Sequence, residues 1–312
     1  MIRIPVTRQA LLDAIDARSD GWRQRAVVKT KAVVAAGNIA SDDAIWSEIK
    51  EVFIVLQEHK CAYCEVPMAK TRSGSAEYVA VDYDVEHFRP KNRVSPWPTP
   101  RVLARRPGLD YAARVKSGAP QGYLRLAFDP FNYLVSCKVC NSSYKADRFP
   151  IAGAPDKRSK QRASLDRNEQ PLLLFPLGVD GDEPADSLAF FGALVRPRAA
   201  AGHAGLRGRT VIDFFELDTR EDLLEGRAQM ILWLFPQLDE RDHGATTEDR
   251  DRAAAFVTAA QQPRFPHAAC GRAYVDLYGK DRDAARRCYE AAREYLVRKE
   301  PRVFSDLAPP GQ

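Results

Sequence analysis

No apolar run in this chain comes near the roughly 18 to 20 residues that a membrane-spanning helix needs, which excludes a helical membrane protein. The opening residues, Met1-Ile2-Arg3-Ile4-Pro5, lack the apolar stretch of a secretory signal. There is no internal repeat and no low-complexity tract. These absences lead us to expect a cytoplasmic protein without a membrane partner. In that compartment thiols stay reduced, and paired cysteines more often hold metal than form disulfides. Cysteine and histidine are both scarce, six and five among 312 residues, so each can be weighed by its surroundings.

What is present is ordinary in bulk. Hydrophobic residues make up 45% and charged residues 29%, the balance of a globular chain long enough for one large domain or two to three modest ones. The net charge of +5 is modest, but it is unevenly spread. Between Arg89 and Arg125 nine basic residues face one acid, Asp110, an excess larger than that of the whole chain. Such a segment favours polyanions such as nucleic acid, and a solvated basic loop is the plainer alternative.

Three regions emerge. Residues 1–60 read as helical. Thr7 caps a short helix carrying Leu11, Leu12 and Ile15, and a second helix runs from Trp22 to a stop at Gly37-Asn38. A third starts at Ser41, with Asp42 and Asp43 at its positive end and Ile45, Ile49, Val52, Phe53 and Leu56 at helical spacing. Residues 61–165 hold the candidate chemistry. Tyr78 to Val85 alternates as a strand leading into Glu86-His87, and the proline-rich stretch from Ser95 to Pro100 cannot be regular structure. A helix is expected after Asn141. Residues 166–312 look mainly helical, apart from a hairpin over Leu188 to Val195 turning at Gly192-Ala193. Thr219 is a candidate cap for a helix ending near Pro236. From Asp281 to Lys299, Ala284, Cys288, Ala291 and Tyr295 share one face, which makes Cys288 a core residue. Ala308 to Gln312 reads as a frayed tail.

Four of the cysteines form two Cys-x-x-Cys pairs, Cys61/Cys64 and Cys137/Cys140. Together they supply a closed tetrahedral thiolate shell, the ligand set of a structural Zn²⁺. The 72 residues between Cys64 and Cys137 exceed those of a compact zinc ribbon, so the metal would staple the two ends of an inserted module. His87 is the one histidine with supporting context. Phosphodiester hydrolysis requires a base to deprotonate water, and a cation to offset charge on the phosphorane and the leaving oxygen. A neutral imidazole suits the first task. Glu86 and the side-chain oxygen of Asn141 suit the second, as hard ligands for Mg²⁺ or Mn²⁺.

The combination Cys-x-x-Cys, Asp-x-Glu-His-Phe-Arg-Pro-Lys, then Asn-Tyr-Leu-x-x-Cys-x-x-Cys-Asn-x-x-x-Lys resembles an HNH endonuclease of the ββα-metal class. The resemblance implies an α+β fold: a small ββα-metal HNH module stapled by a four-cysteine zinc, embedded between an N-terminal helical segment and a mainly helical C-terminal region. It implies His87 as general base, Glu86 and Asn141 as ligands of one divalent metal, and Asn132 as the brace of the histidine loop. Cys61, Cys64, Cys137 and Cys140 would hold zinc. Arg89, Lys91 and Lys145 are the candidate phosphate contacts, which position a substrate without reading its sequence. Glu86 stands where the family more commonly has Asp, and the stretch from His87 to Asn132 is longer than the compact motif requires. More narrowly, Lys60 to Glu65, Glu86 to Lys91 and Cys140 to Lys145 are similar to the HNH subunits of Septu-type and retron-associated antiphage systems, which pair with an ATPase subunit. The expected partner is nucleic acid, DNA in preference to RNA, with an ATPase subunit and a homo-oligomer as further candidates. Two alternatives stay open: an RNA-cleaving enzyme, and a zinc-stapled nucleic-acid-binding or scaffold protein without catalysis.

Overall fold

The computed structural model describes residues 1–39, 44–68, 83–156, 159, 161–305 and 307. The expected cap at Ser41 with Asp42 and Asp43, the strand residues from Tyr78 to Asp82's neighbour Val81, and the tail from Ala308 lie outside the described residues.

 Asp82 lies outside them too. The chain is α+β and divides into two compact units. One comprises Arg3–Tyr63 and Met68–Asp182; the other comprises Met1–Ile2, Cys64–Pro67 and Glu183–Gln312.

The first unit starts with α1 (Arg8–Arg18), whose first turn is closed by the Thr7 hydroxyl accepting the Ala10 N–H at 3.1 Å. α2 (Trp22–Ala36) ends at Gly37, where φ is +74°, a left-handed conformation that costs glycine little. In its described part the third helix is broken. A 3₁₀ turn over Ile45–Ile49 precedes α3 (Lys50–Leu56). The turn sets the Ile45 carbonyl 2.8 Å from the indole N–H of buried Trp22 and puts the Trp46 ring against His87. Packing at two rings has thus displaced the single amphipathic helix that the spacing predicts.

β1 (Tyr83–His87) is followed by α4 (Pro100–Arg105), β2 (Lys116–Ser117) and β3 (Tyr133–Cys137). The stretch from Ser95 to Thr99 is irregular, as its prolines require, and Pro100 then opens α4 behind a Thr99 cap. β1 and β3 pair antiparallel from Tyr83↔Cys137 to His87↔Tyr133. β3 runs into a π-helical turn over Val139–Lys145, then β4 (Pro150–Ile151), which pairs with β2, and α5 (Arg162–Glu169). The helix expected after Asn141 therefore starts two residues before it and is wider than an α-helix. Tyr133 sits at the centre of this unit, with Trp22 and Phe53 packed edge-on against its ring at 6.5 and 5.9 Å. Phe88 meets Phe149 and Phe175 in the same interior.

In the second unit the expected hairpin is β5 (Leu188–Phe191) and β6 (Leu194–Pro197), turning through Gly192 at φ +56°. It is followed by α6 (Gly202–Phe215), α7 (Glu221–His243), α8 (Thr247–Ala260), α9 (Ala268–Lys280), α10 (Arg282–Arg298) and α11 (Arg302–Ser305). α7 departs from expectation at both ends. Arg220 rather than Thr219 precedes it, and it runs through Pro236 to His243. A proline inside a helix costs about 3 kcal/mol. Leu234, Phe235 and Leu238 on either side of it are buried, at about 1.5–3 kcal/mol each, and their sum outweighs the break. Cys288 lies in the core of this unit with Ala284, Ala291 and Tyr295 of α10.

Candidate active site

The four paired cysteines converge. The Sγ atoms of Cys61, Cys64, Cys137 and Cys140 lie within 4.8 Å of one another, and only Cys137 is more than slightly exposed. Zn–S bonds of about 2.3 Å in a tetrahedron separate sulfurs by roughly 3.8 Å, so this cluster can hold a structural metal such as zinc. Backbone geometry prepares it. The Cys140 N–H donates to Cys137 Sγ at 3.4 Å, and the Ala62 N–H donates to the Val135 carbonyl at 3.1 Å. Buried Gln57 adds a clamp. Its amide N–H₂ donates to the carbonyls of Val135 (2.7 Å) and Lys60 (3.0 Å), and its oxygen accepts the Val135 N–H at 2.8 Å. The first cysteine turn is thereby tied to β3.

Strand alternation puts Asp84 and Glu86 of β1 on one face, towards the π-helical turn. Lys145 Nζ stands 2.9 Å from Glu86 Oε1 and donates to the His87 carbonyl at 3.3 Å. Oε1 is buried, and the Lys145 ammonium is the cation paired with it. Burial pushes the Glu86 carboxyl up from its ordinary value, and the Lys145 charge opposes that. Earlier along the same face, Asp84 Oδ2 accepts from Lys138 Nζ at 2.6 Å and from Asn141 Nδ2 at 3.2 Å. Glu86, His87, Lys91 and Asn141 line one open cleft of about 1000 Å³, whose rim includes Asn92, Arg93 and Arg148.

The His87 ring is buried between Trp46 and Tyr133, both edge-on with centroids at 4.9 Å. Its Nε2 lies 3.0 Å from the Ala127 carbonyl, which also accepts the Tyr133 hydroxyl at 2.6 Å. A carbonyl only accepts, so Nε2 carries the proton and the lone pair of the neutral ring sits on Nδ1. Burial, followed by the charge of Lys91, holds His87 well below the usual imidazole range, so the neutral form prevails near pH 7. Asn132 secures the loop that follows. Its Oδ1 accepts the Arg89 N–H at 2.9 Å, and its Nδ2 donates to the carbonyls of Arg89 (3.0 Å) and Leu126 (3.2 Å).

The three cations expected to touch phosphate part company here. Lys91 is half-buried with its ammonium 4.7 Å from the centre of the Trp46 ring, and it faces the cleft. Lys145 is wholly buried against Glu86. Arg89 is 1% exposed and points inward, its Nε 2.9 Å from Glu169 and its NH2 2.8 Å from Asp166. Glu169 also accepts the Tyr123 hydroxyl at 2.5 Å, so Arg89 closes a buried polar network. Arg89 and Lys145 therefore act as internal counter-ions. The partners of Arg89 lie 77 and 80 residues away, too far along the chain for a local motif to reveal.

No protein-family model matches the chain, and no solved structure matches it. Over 185 residues it is 29% identical to the Septu protein PtuB of Bacillus mycoides (strain KBAB4), a stretch covering 58% of this chain and 51% of that protein. The chain thus spans about half the length of the curated relative it matches. Among the described residues no helix is long and apolar enough to cross a membrane.

Sequence reasoning passed over Asp84, Trp46, Gln57 and Arg148. Asp84 had a local signal, because it lies two residues before Glu86 in a strand and so shares its face. Trp46 and Gln57 had none, since their contacts with His87 and Val135 join segments distant in sequence; Arg148 bonds locally, to the Ser143 and Tyr144 carbonyls, but belongs to no motif.

Proposed function

We propose that this chain is a metal-dependent HNH endonuclease that hydrolyses nucleic-acid phosphodiester bonds, DNA in preference, with His87 as general base. The observation that carries this reading is the commitment of His87 Nε2 to the Ala127 carbonyl, which leaves basic Nδ1 in a ring that shares a cleft with Glu86 and Asn141. Nδ1 takes the proton from a water molecule as that water attacks phosphorus. Ala127 and Tyr133 keep the ring in one tautomer, and Asn132 keeps the following loop in place. Lys91, Arg93 and Arg148 along the cleft hold substrate phosphates.

Glu86 and Asn141 would hold Mg²⁺ or Mn²⁺ through a carboxylate and an amide oxygen. The hard-oxygen character of both groups and their place on one cleft fit such an ion. When bound, the ion supplies positive charge against the charge that develops on the phosphoryl oxygens and the leaving 3′ oxygen. Zinc at the four cysteines has no part in the reaction and holds the two ends of the module together.

The likeness to the Septu protein PtuB, with the motif resemblance, supports a role in antiphage defence beside an ATPase subunit. The test is incubation of the purified chain with plasmid DNA and with total RNA, in Mg²⁺ or Mn²⁺, with and without chelator. Cleavage should require the divalent ion, and His87→Ala should lower it by about 10²–10⁴-fold while zinc content and folding persist. Undiminished cleavage by a folded His87→Ala protein would overturn the assignment. Cleavage of RNA alone would select the RNase alternative. Binding to both polymers without cutting, alone and with the partner subunit supplied, would select the non-catalytic one.

A further inference from the structure

The π-helical turn and Lys138, which precedes it, present three side chains to the two acids of β1. Lys145 meets Glu86; Lys138 and Asn141 both meet Asp84. The Asp84 contact constrains the Asn141 side chain in a way that does not depend on how its amide atoms are assigned. A carboxylate only accepts, so the atom of Asn141 facing Asp84 Oδ2 at 3.2 Å must be the nitrogen. The amide is planar, and its carbonyl oxygen is then the atom left to the cleft that Asn141 lines together with Glu86. Without Asp84, either amide atom could face the cleft, and a nitrogen there would repel a cation. The Asn141 side chain has room to rotate, since it is half-exposed on the π turn.

We propose that Asp84 is a positioning residue, which fixes the Asn141 amide so that its oxygen, with the Glu86 carboxylate, is directed to a divalent cation. This rests on the metal-site reading above and adds to it a group that touches neither the cation nor the substrate. Lys138, half-exposed and paired with the same Asp84 oxygen, balances its charge.

The test measures Mn²⁺ affinity of the zinc-loaded full chain by electron paramagnetic resonance, together with cleavage as a function of Mn²⁺ concentration. Asp84→Ala should weaken Mn²⁺ about 10–100-fold, the range for groups that orient a metal ligand. It should raise the Mn²⁺ concentration for half-maximal cleavage in proportion and leave cleavage at saturating Mn²⁺ close to wild type. Asp84→Asn keeps an oxygen that can accept from Asn141 and should stay within about fivefold of wild type, the effect of losing one partly exposed charge. Lys138→Ala should behave like wild type. Asp84→Val, a better strand former with no polar atom, supplies the same loss of the acceptor should Asp84→Ala fold poorly. If removing the carboxylate leaves Mn²⁺ affinity unchanged, or if Asp84→Asn weakens it as much as Asp84→Ala, positioning is refuted; the latter result would make Asp84 a direct ligand. A wild-type protein that binds no Mn²⁺ would instead remove the metal-site reading, and this inference with it.

Discussion

Replacing Lys145 with methionine removes a buried ammonium while keeping most of the side-chain volume. The ammonium is 2.9 Å from Glu86 Oε1, and the two side chains are 0% and 3% exposed. Removing one member of such a pair costs about 3–5 kcal/mol, because the surviving charge stays in a poor solvent. Two features favour the lower end. Lys91 also acts on Glu86, and burial has already raised the Glu86 carboxyl, so protonation can relieve part of the loss. We expect about 3 kcal/mol. The assay is urea unfolding of the zinc-loaded protein with Mg²⁺ and Mn²⁺ omitted, followed by tryptophan fluorescence, with Trp22, Trp46 and Trp97 reporting from the unit that contains the pair. Removing both charges, with Glu86→Gln beside Lys145→Met, should restore at least half of the loss. A loss below about 1 kcal/mol would refute the reasoning, since that is the size of an exposed pair. So would a double variant no more stable than the single one. If Lys145 were instead a phosphate contact, stability would hardly change and nucleic-acid affinity would lose about one unit of salt slope.

Arg89→Met should destabilise by about 3 kcal/mol in the same unfolding assay, since it strands Glu169, whereas Lys91→Ala should leave stability within about 0.5 kcal/mol and reduce the salt dependence of DNA binding by about one unit. Asn132→Ala deletes three buried hydrogen bonds and should cost about 2–3 kcal/mol by denaturant titration. It should also lower cleavage at saturating Mn²⁺ with little change in Mn²⁺ affinity, the reverse of the Asp84→Ala pattern. Metal analysis should return one zinc per chain. Cys140→Ser should lose it, and the β1–β3 region should then exchange its amide hydrogens rapidly, as measured by mass spectrometry.

Several features of the site were open to a reader of the chain alone because their determinants are local. Each Cys-x-x-Cys pair carries its ligand spacing within four residues. The alternation before His87 marks a strand, which makes Asp84 and Glu86 neighbours on one face. Thr7, Gly37 and Gly192 act through their own backbone or the next turn, and the structure bears out the helix ends and the hairpin they mark.

Other features were closed to such a reading. A charged residue in a motif reads as a surface residue until its partners are known, and those of Arg89 come from α5. Lys91 and Lys145 have the same chemistry and adjoin the same motif, yet one faces the cleft and the other is sealed beneath it. Only the passage of the π-helical turn across β1 separates them. The run of α7 through Pro236 is a similar case, because the local rule ends the helix and the neighbouring buried side chains overrule it. The sequence by itself determined which candidate ligands and which candidate base are available, since spacing and side-chain type are properties of short segments. The tertiary structure alone decided which of the motif's cations face the cleft, because the low dielectric of the interior turns Arg89 and Lys145 into counter-ions for acids that would otherwise be buried alone.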